Sequence, residues 1–256
     1  MKRYWLINLI CIVLSAGFLF GMVWVWRGTD EIDYEAELRI ANSKIENVKI
    51  KMENNVARVN AALPPQYFIS VPFTSQAPEK NWEQPWQDAC EEAAVLMLDA
   101  YYKNYNLSPL FAKDEILKII KWEEERGWGS SIEIEKVREL VERFVLLNHT
   151  ITTSLHHARI VNDPTVENIK KFVANGQPVL VVADGKVLPN PHFRNGGPVY
   201  HALIIRGYTE TEFITNDPGT QFGRGFKYKY KDLLNAIHDW NGGDVKNGKR
   251  AVLVVE

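Results

Sequence analysis

Apolar and polar positions follow three different rhythms along the chain. Residues 4–26 form one uncharged, mostly apolar run. At about 1.5 Å per residue such a helix reaches about 35 Å, enough to cross a hydrocarbon core with some tilt. Tyr4, Trp5, Trp24 and Trp26 stand at its two ends, where amphipathic rings favour the membrane interface. Lys2 and Arg3 precede the run, whereas Asp30, Glu31, Asp33, Glu35 and Glu37 follow it. The positive-inside rule then puts the N-terminus in the cytoplasm and the remainder outside, as a single-pass protein of the cell membrane. The alternative is a cleaved signal peptide, since Leu14-Ser15-Ala16-Gly17 offers small residues. The apolar run continues for about nine residues beyond Gly17, which favours an uncleaved anchor over residues 1–27.

Residues 28–65 change to a charged helical pattern. Leu38, Ile45, Met52 and Val59 recur every seven residues, with Ala41, Val48 and Asn55 between them. A stripe this short fits either a stalk that pairs two copies into a homodimer or a solvated helix that spaces the next domain from the membrane. Pro64-Pro65 closes the segment, as paired prolines do at a boundary.

From residue 66 to residue 256 helical and strand patterns mix. The run 67–73 predicts a strand stopped by proline, and a loop rich in aromatics and glutamines follows. Helical spacing marks 90–102, 113–125, 132–144 and 165–175, the last closed by Gly176. Residues 145–161 read ambiguously. The run 178–183 is continuously apolar, as in a central strand buried on both faces. Residues 200–208 and 212–215 predict neighbouring antiparallel strands, while 226–230 and 250–255 extend the sheet around a helix over 231–240. Helices first and strands later predict an α+β domain with an antiparallel sheet.

Composition narrows the classes. With 46% hydrophobic and 24% charged residues the chain can build a core and a wetted surface. A net charge of −2 without a long basic block excludes nucleic acid as an implied partner. Two cysteines, Cys11 and Cys90, exclude a disulfide scaffold and a zinc ribbon.

Cys90 opens the helical pattern at Asp88-Ala89-Cys90-Glu91-Glu92. A helix N-terminus favours a thiolate through its free N–H groups and dipole. His201 follows in a strand-like run, and Asp217 comes after the next one. Cys, then His, then an acid is an order used by cysteine hydrolases: nucleophile, base and orienting group. The structural alternative for each is plain: a small core thiol, a hydrogen-bonded core histidine and a turn aspartate. His149, His156, His157, His192 and His238 show no metal-like spacing. The loop 239–244 lacks a full calcium pattern and reads as a turn.

Three stretches carry a resemblance. They are Val71-Pro72-Phe73-Thr74-Ser75-Gln76 with a Trp-rich loop and the Cys90 helix, then Gly176-Gln177-Pro178-Val179, then His201-Ala202-Leu203-Ile204-Ile205-Arg206-Gly207-Tyr208 with Asn216-Asp217-Pro218-Gly219. Residues 66–256 thereby resemble the papain-like C39-type peptidases, relatives of the enzymes that cut double-glycine leaders from bacteriocins. The resemblance implies a papain-like fold and a peptide or protein substrate. It also implies a cofactor-free mechanism with Cys90 as nucleophile, His201 as base, Asp217 as orienting acid and Gln76 as oxyanion donor. Gln84 stands at a second spacing seen for that glutamine. Many members have Gly-Pro where Glu91-Glu92 stand here, and carboxylates beside a thiol disfavour the thiolate unless they point away. The same fold also suits an amide hydrolase of peptidoglycan, or a non-catalytic domain that binds peptides or wall components.

Overall fold

The computed structural model describes residue 39, residues 42–46, residues 63–147 and residues 157–256. The chain divides into two units, Met1–Ala62 and Leu63–Glu256. In the first, residues 42–46 are helical and exposed, Ile45 included. The predicted membrane run 4–26 and most of the heptad stripe lie outside the described residues. Among the described residues no helix is long and apolar enough to cross a membrane.

The second unit is an α+β domain. Its sheet runs β2 (Ala158–Asn162), β7 (Ala251–Val255), β3 (Val179–Asp184), β4 (Tyr200–Tyr208), β5 (Glu212–Asn216), β6 (Arg224–Lys229), with β1 (Tyr67–Phe68) added at the end of β4. Every pairing is antiparallel. The continuous apolar runs Val179-Leu180-Val181-Val182-Ala183 and Ala251-Val252-Leu253-Val254-Val255 are buried along their whole length. Strands β3 and β7 therefore sit inside the sheet, as their lack of alternation requires.

Helix α1 (Cys90–Tyr102) packs against β4 and is buried over most of its length. Helix α2 (Pro109–Glu124) begins four residues before the periodicity suggests. Ser108 caps it by accepting from the Phe111 N–H at 3.3 Å, and Pro109 takes the first helical position, where its missing donor costs nothing. Helix α3 (Ile134–Leu140) continues as a wider π-type turn over Val141–Leu146. Helix α4 (Val166–Ala174) is set by a Thr165–Asn168 capping box. Helix α5 (Tyr230–Ala236) stops earlier than expected, because Ile237 leaves the helix to bridge Ala183 at the sheet.

Two other expectations differ from what is observed. The ambiguous stretch ends in strand β2, which runs one residue past it and whose five residues all pair with β7. Of the predicted strand 67–73 only Tyr67–Phe68 joins the ladder. Beyond it the chain is held by single bonds instead: Ile69 N–H to Arg206 O at 2.7 Å, and Asn216 Nδ2 to Val71 O at 3.0 Å and Pro72 O at 3.2 Å. Pro72 has no N–H to continue a ladder. This extended segment crosses the end of β5 and delivers residues 74–77 to the place where β4 begins and β5 ends.

Candidate active site

The register of β4 and β5 brings two polar residues together. Ile204 pairs with Asn216, so Asp217 continues opposite Leu203. His201 lies two residues from Leu203 and shares its face, making it a diagonal neighbour of Asp217. The His201 ring Nε2 lies 2.7 Å from Asp217 Oδ1, and both side chains are excluded from solvent.

Asp217 is saturated with donors. The Gly219 N–H donates to Oδ1 at 2.9 Å, Asn190 Nδ2 to Oδ2 at 3.1 Å, and the Tyr228 hydroxyl to Oδ2 at 2.5 Å. Asn190 Nδ2 also reaches the Tyr228 hydroxyl at 3.0 Å. Burial pushes the Asp217 carboxyl up, but the His201 charge, its hydrogen bond, Tyr228 and the Gly219 N–H together hold it below its ordinary value. The same carboxylate pushes the Tyr228 phenol up, after burial. A side chain on Gly219 has no room: a Cβ there would stand 2.8 Å from His201 Cε1 and 2.9 Å from Phe193. Phe193 closes over the imidazole edge-on, with ring centres 5.3 Å apart. With Nε2 engaged and its surroundings filled, His201 Nδ1 is buried and has no hydrogen-bond partner among the described residues.

Cys90 stands at the first position of α1, where the N–H groups of the first turn lack intrahelical acceptors. Its thiol lies against the Ala202 N–H, in the residue next to His201. It is not hydrogen-bonded to His201. It donates instead to Glu91 Oε2 at 2.8 Å. Glu91 is anchored through Oε1, which accepts from the Ile132 N–H at 3.3 Å. Burial first, then the Glu91 charge and hydrogen bond, then Glu92, raise the thiol well above its ordinary value, against the Ala202 N–H which lowers it. In this arrangement the thiol is neutral.

Behind the thiol lies a nest of buried carboxyls. Glu91 is pushed up to about 8, by burial first and by Glu92 second. Glu123, on α2, is pushed up to about 11 by burial, the Glu92 charge and a hydrogen bond to Glu92. Burial raises Glu92 as well. Glu92 thus points to Glu123 and Glu91 points to the thiol, so only one of the two adjacent carboxyls faces the sulfur.

Gln76 is buried at the edge of a cleft beside this site. Its chain position is fixed by the loop after Asp217: the Gln76 N–H donates to Pro218 O at 3.0 Å, and Gln221 Nε2 donates to Ser75 Oγ and Ala77 O. Both hydrogens of its amide donate to the turn before Cys90, to Trp86 O and Gln87 O, each at 2.9 Å. Its Oε1 is buried without a partner among the described residues. Gln84 is spent elsewhere, donating to Asp88 Oδ2 at 2.8 Å on the exposed side. Asp239 serves as a structural acceptor, its Oδ1 taking the Ile134 and Trp240 N–H groups at 2.8 Å and the Tyr200 hydroxyl at 3.1 Å.

Three contributors escaped the sequence. Asn190 lies in a loop and Tyr228 in a strand, and neither shows its partner until the loop folds back. Glu123 is one of three consecutive glutamates, and nothing local sets it apart. The available signal was weak: Asn190 between two prolines, and Tyr228 on the buried parity of β6.

An antiparallel sheet behind a buried helix, with a cysteine at the helix start next to a buried His–Asp pair, places the protein in the class of α+β domains with a C39-like fold. The chain belongs to the Peptidase_C39 like family, whose model matches residues 68–242. A solved structure of a candidate C39-like peptidase from Bacillus anthracis shares this fold at 15% identity and a TM-score of 0.50, over 75% of this chain and 98% of that one. No curated protein matches the chain in sequence.

The carboxyl nest fixes a pH dependence. A carboxyl that folding holds protonated contributes stability that is complete below its unfolded value and lost as pH rises toward its native value. For Glu91 that window runs from about 4.5 to about 8, and for Glu123 it extends further, to about 11. Glu123→Gln keeps a donor for Glu92 and carries no proton to lose. Denaturant titrations at pH 5 and pH 8 should show the variant gaining on the wild type by up to about 1.4 kcal/mol per pH unit. A constant difference between the two pH values would contradict protonation of Glu123.

Proposed function

We propose that the chain is a cysteine peptidase that hydrolyses peptide bonds with Cys90, His201 and Asp217, held outside the cell by the N-terminal run 4–26. The observation that carries this reading is the buried His201 Nδ1, unpartnered among the described residues, on the residue next to Ala202, whose backbone the Cys90 thiol touches, while Asp217 holds the other ring nitrogen. That is the state a base needs: oriented, with one nitrogen free.

Rotation of the thiol from Glu91 toward His201 Nδ1 completes the pair. His201 then takes the thiol proton and Sγ attacks the peptide carbonyl. The Cys90 N–H at the start of α1 faces the oxyanion, and Gln76 joins it by turning one amide hydrogen away from the 86–88 turn. His201 returns the proton to the leaving amine, and water, activated by the same imidazole, hydrolyses the thioester. No cofactor is required. The resting bond from Cys90 to Glu91 favours one rival specifically, a binding domain with an inert thiol. The peptidoglycan amide hydrolase differs only in substrate.

Cys90→Ala should abolish peptide hydrolysis, and His201→Ala should lower kcat by about a thousandfold or more. Asn190→Ala, which removes one donor from Asp217, should lower kcat by about tenfold with little change in KM. Hydrolysis that survives Cys90→Ala would overturn Cys90 as the nucleophile, peptide binding without hydrolysis by the wild type would establish the binding-domain reading, and release of muropeptides instead of cut peptides would establish the wall hydrolase. For the anchor, protease added to intact cells should remove residues 66–256, and their full protection would reverse the orientation.

A further inference from the structure

The cleft beside Gln76 and Gly219 has a volume of about 600 Å³, within the range of sites that enclose a ligand. Gly219 and Phe193 line it and pack against the His201 ring, so the cleft ends one layer from the imidazole. Its walls come from three loops that meet over the ends of β3, β4 and β5: residues 185–199, residues 219–222, and the Trp-rich loop ahead of Cys90. The charge along these walls has one sign. Lys186 and Arg194 line the cleft, and among the described residues no aspartate or glutamate does. The chain as a whole carries a net charge of −2, so the cationic lining is local and not a reflection of the overall balance.

The two cations are held in place. Lys186 Nζ donates to Asn195 O at 3.1 Å, tying together the two arms of the 185–199 loop. The Arg194 guanidinium lies over the Trp82 ring, 5.5 Å from its centre. Among the described residues neither forms an ion pair with a carboxylate, in contrast to Lys113 and Lys171, which Glu79 and Glu167 neutralise. Fixed, unneutralised cations in a concavity focus a positive potential into it. Between them the wall is apolar: Phe222 is 68% exposed, Val199 is 52% exposed, and Phe193 backs them.

Resting on the peptidase reading above, we propose that this cleft selects peptides carrying aspartate or glutamate beside a large apolar residue near the scissile bond, with Lys186 and Arg194 as the residues that set the preference. The acidic group meets cations already oriented by Asn195 and Trp82. The apolar neighbour covers Phe222 and Val199, which otherwise face water. A basic peptide would place like charges together in the cleft and be rejected on that ground.

The test uses the full-length protein and two fluorogenic peptides that share a central leucine and differ only in two flanking residues, glutamate in one and lysine in the other. The wild type should cleave the glutamate peptide with kcat/KM at least about tenfold higher, a preference that shrinks as salt is raised. Lys186→Glu with Arg194→Glu should reverse the order of the two peptides. Lys121→Glu with Lys246→Glu, which makes the same change in net charge on exposed positions away from the cleft, should leave the order as it was. Equal cleavage of both peptides by the wild type, or an order unchanged by the cleft substitutions, would overturn the proposal. Binding of the same peptides to Cys90→Ala, followed by fluorescence polarisation, separates the two readings. Acidic preference in binding without cleavage by the wild type would remove the peptidase and keep the cleft. Cleavage without charge preference in rate or binding would remove the cleft proposal and keep the peptidase.

Discussion

Asp217 holds a carboxylate where water cannot reach it, and a charge in that position is tolerated only when its oxygens are matched by donors. His201, Gly219, Asn190 and Tyr228 supply those donors from four separate stretches of chain. Much of the local architecture serves this one anion. The loop after β5 turns back so that Asp217 N–H meets Gly223 O at 3.0 Å. Gly223 must be glycine, since a Cβ there would lie 1.7 Å from Asp217 O. Asn190 brings in the loop that forms one cleft wall, and Tyr228 brings in β6. Satisfying the aspartate therefore also fixes the imidazole and the edge of the cleft.

The second organising feature works against the first. Buried carboxyls behind Cys90 favour the neutral thiol, while the proposed base, His201, is buried on the strand whose backbone the thiol touches. Glu91 takes the thiol hydrogen bond at 2.8 Å, and His201 Nδ1 waits without one. For Cys90 to act as the proposed nucleophile, its thiol must exchange Glu91 for the His201 ring, a side-chain rotation. Pairing Glu92 with Glu123 keeps the second carboxyl from facing the sulfur, so the opposition to ionisation comes chiefly from burial and from Glu91.

How far this could be read from the sequence depends on the range of each interaction. The long apolar runs of β3 and β7 state their own burial, and the capping residues of α4 mark its ends, because both signals are local. His201 and Asp217 were legible as a pair because two adjacent strands and a short turn fix their separation. The donors that make Asp217 stable were not, since Asn190 and Tyr228 act across loops that no pattern constrains. Strand β2 was hidden for a similar reason: Ala158–Asn162 becomes a strand through β7, nearly a hundred residues later. Glu91 and Glu92 were visible as a hazard to the thiol, yet only their side-chain directions show that one faces the sulfur and the other faces Glu123.

In the proposed reaction Cys90, driven by His201, carries the acyl group during hydrolysis. Acid quenching of the full-length protein during turnover of a slowly hydrolysed peptide ester, with the modified residue located by mass spectrometry, tests this directly. The acyl group of the peptide should be found on Cys90 in the wild type and be absent in His201→Ala. An acyl group on another residue, or continued turnover with Cys90 unmodified, would contradict it.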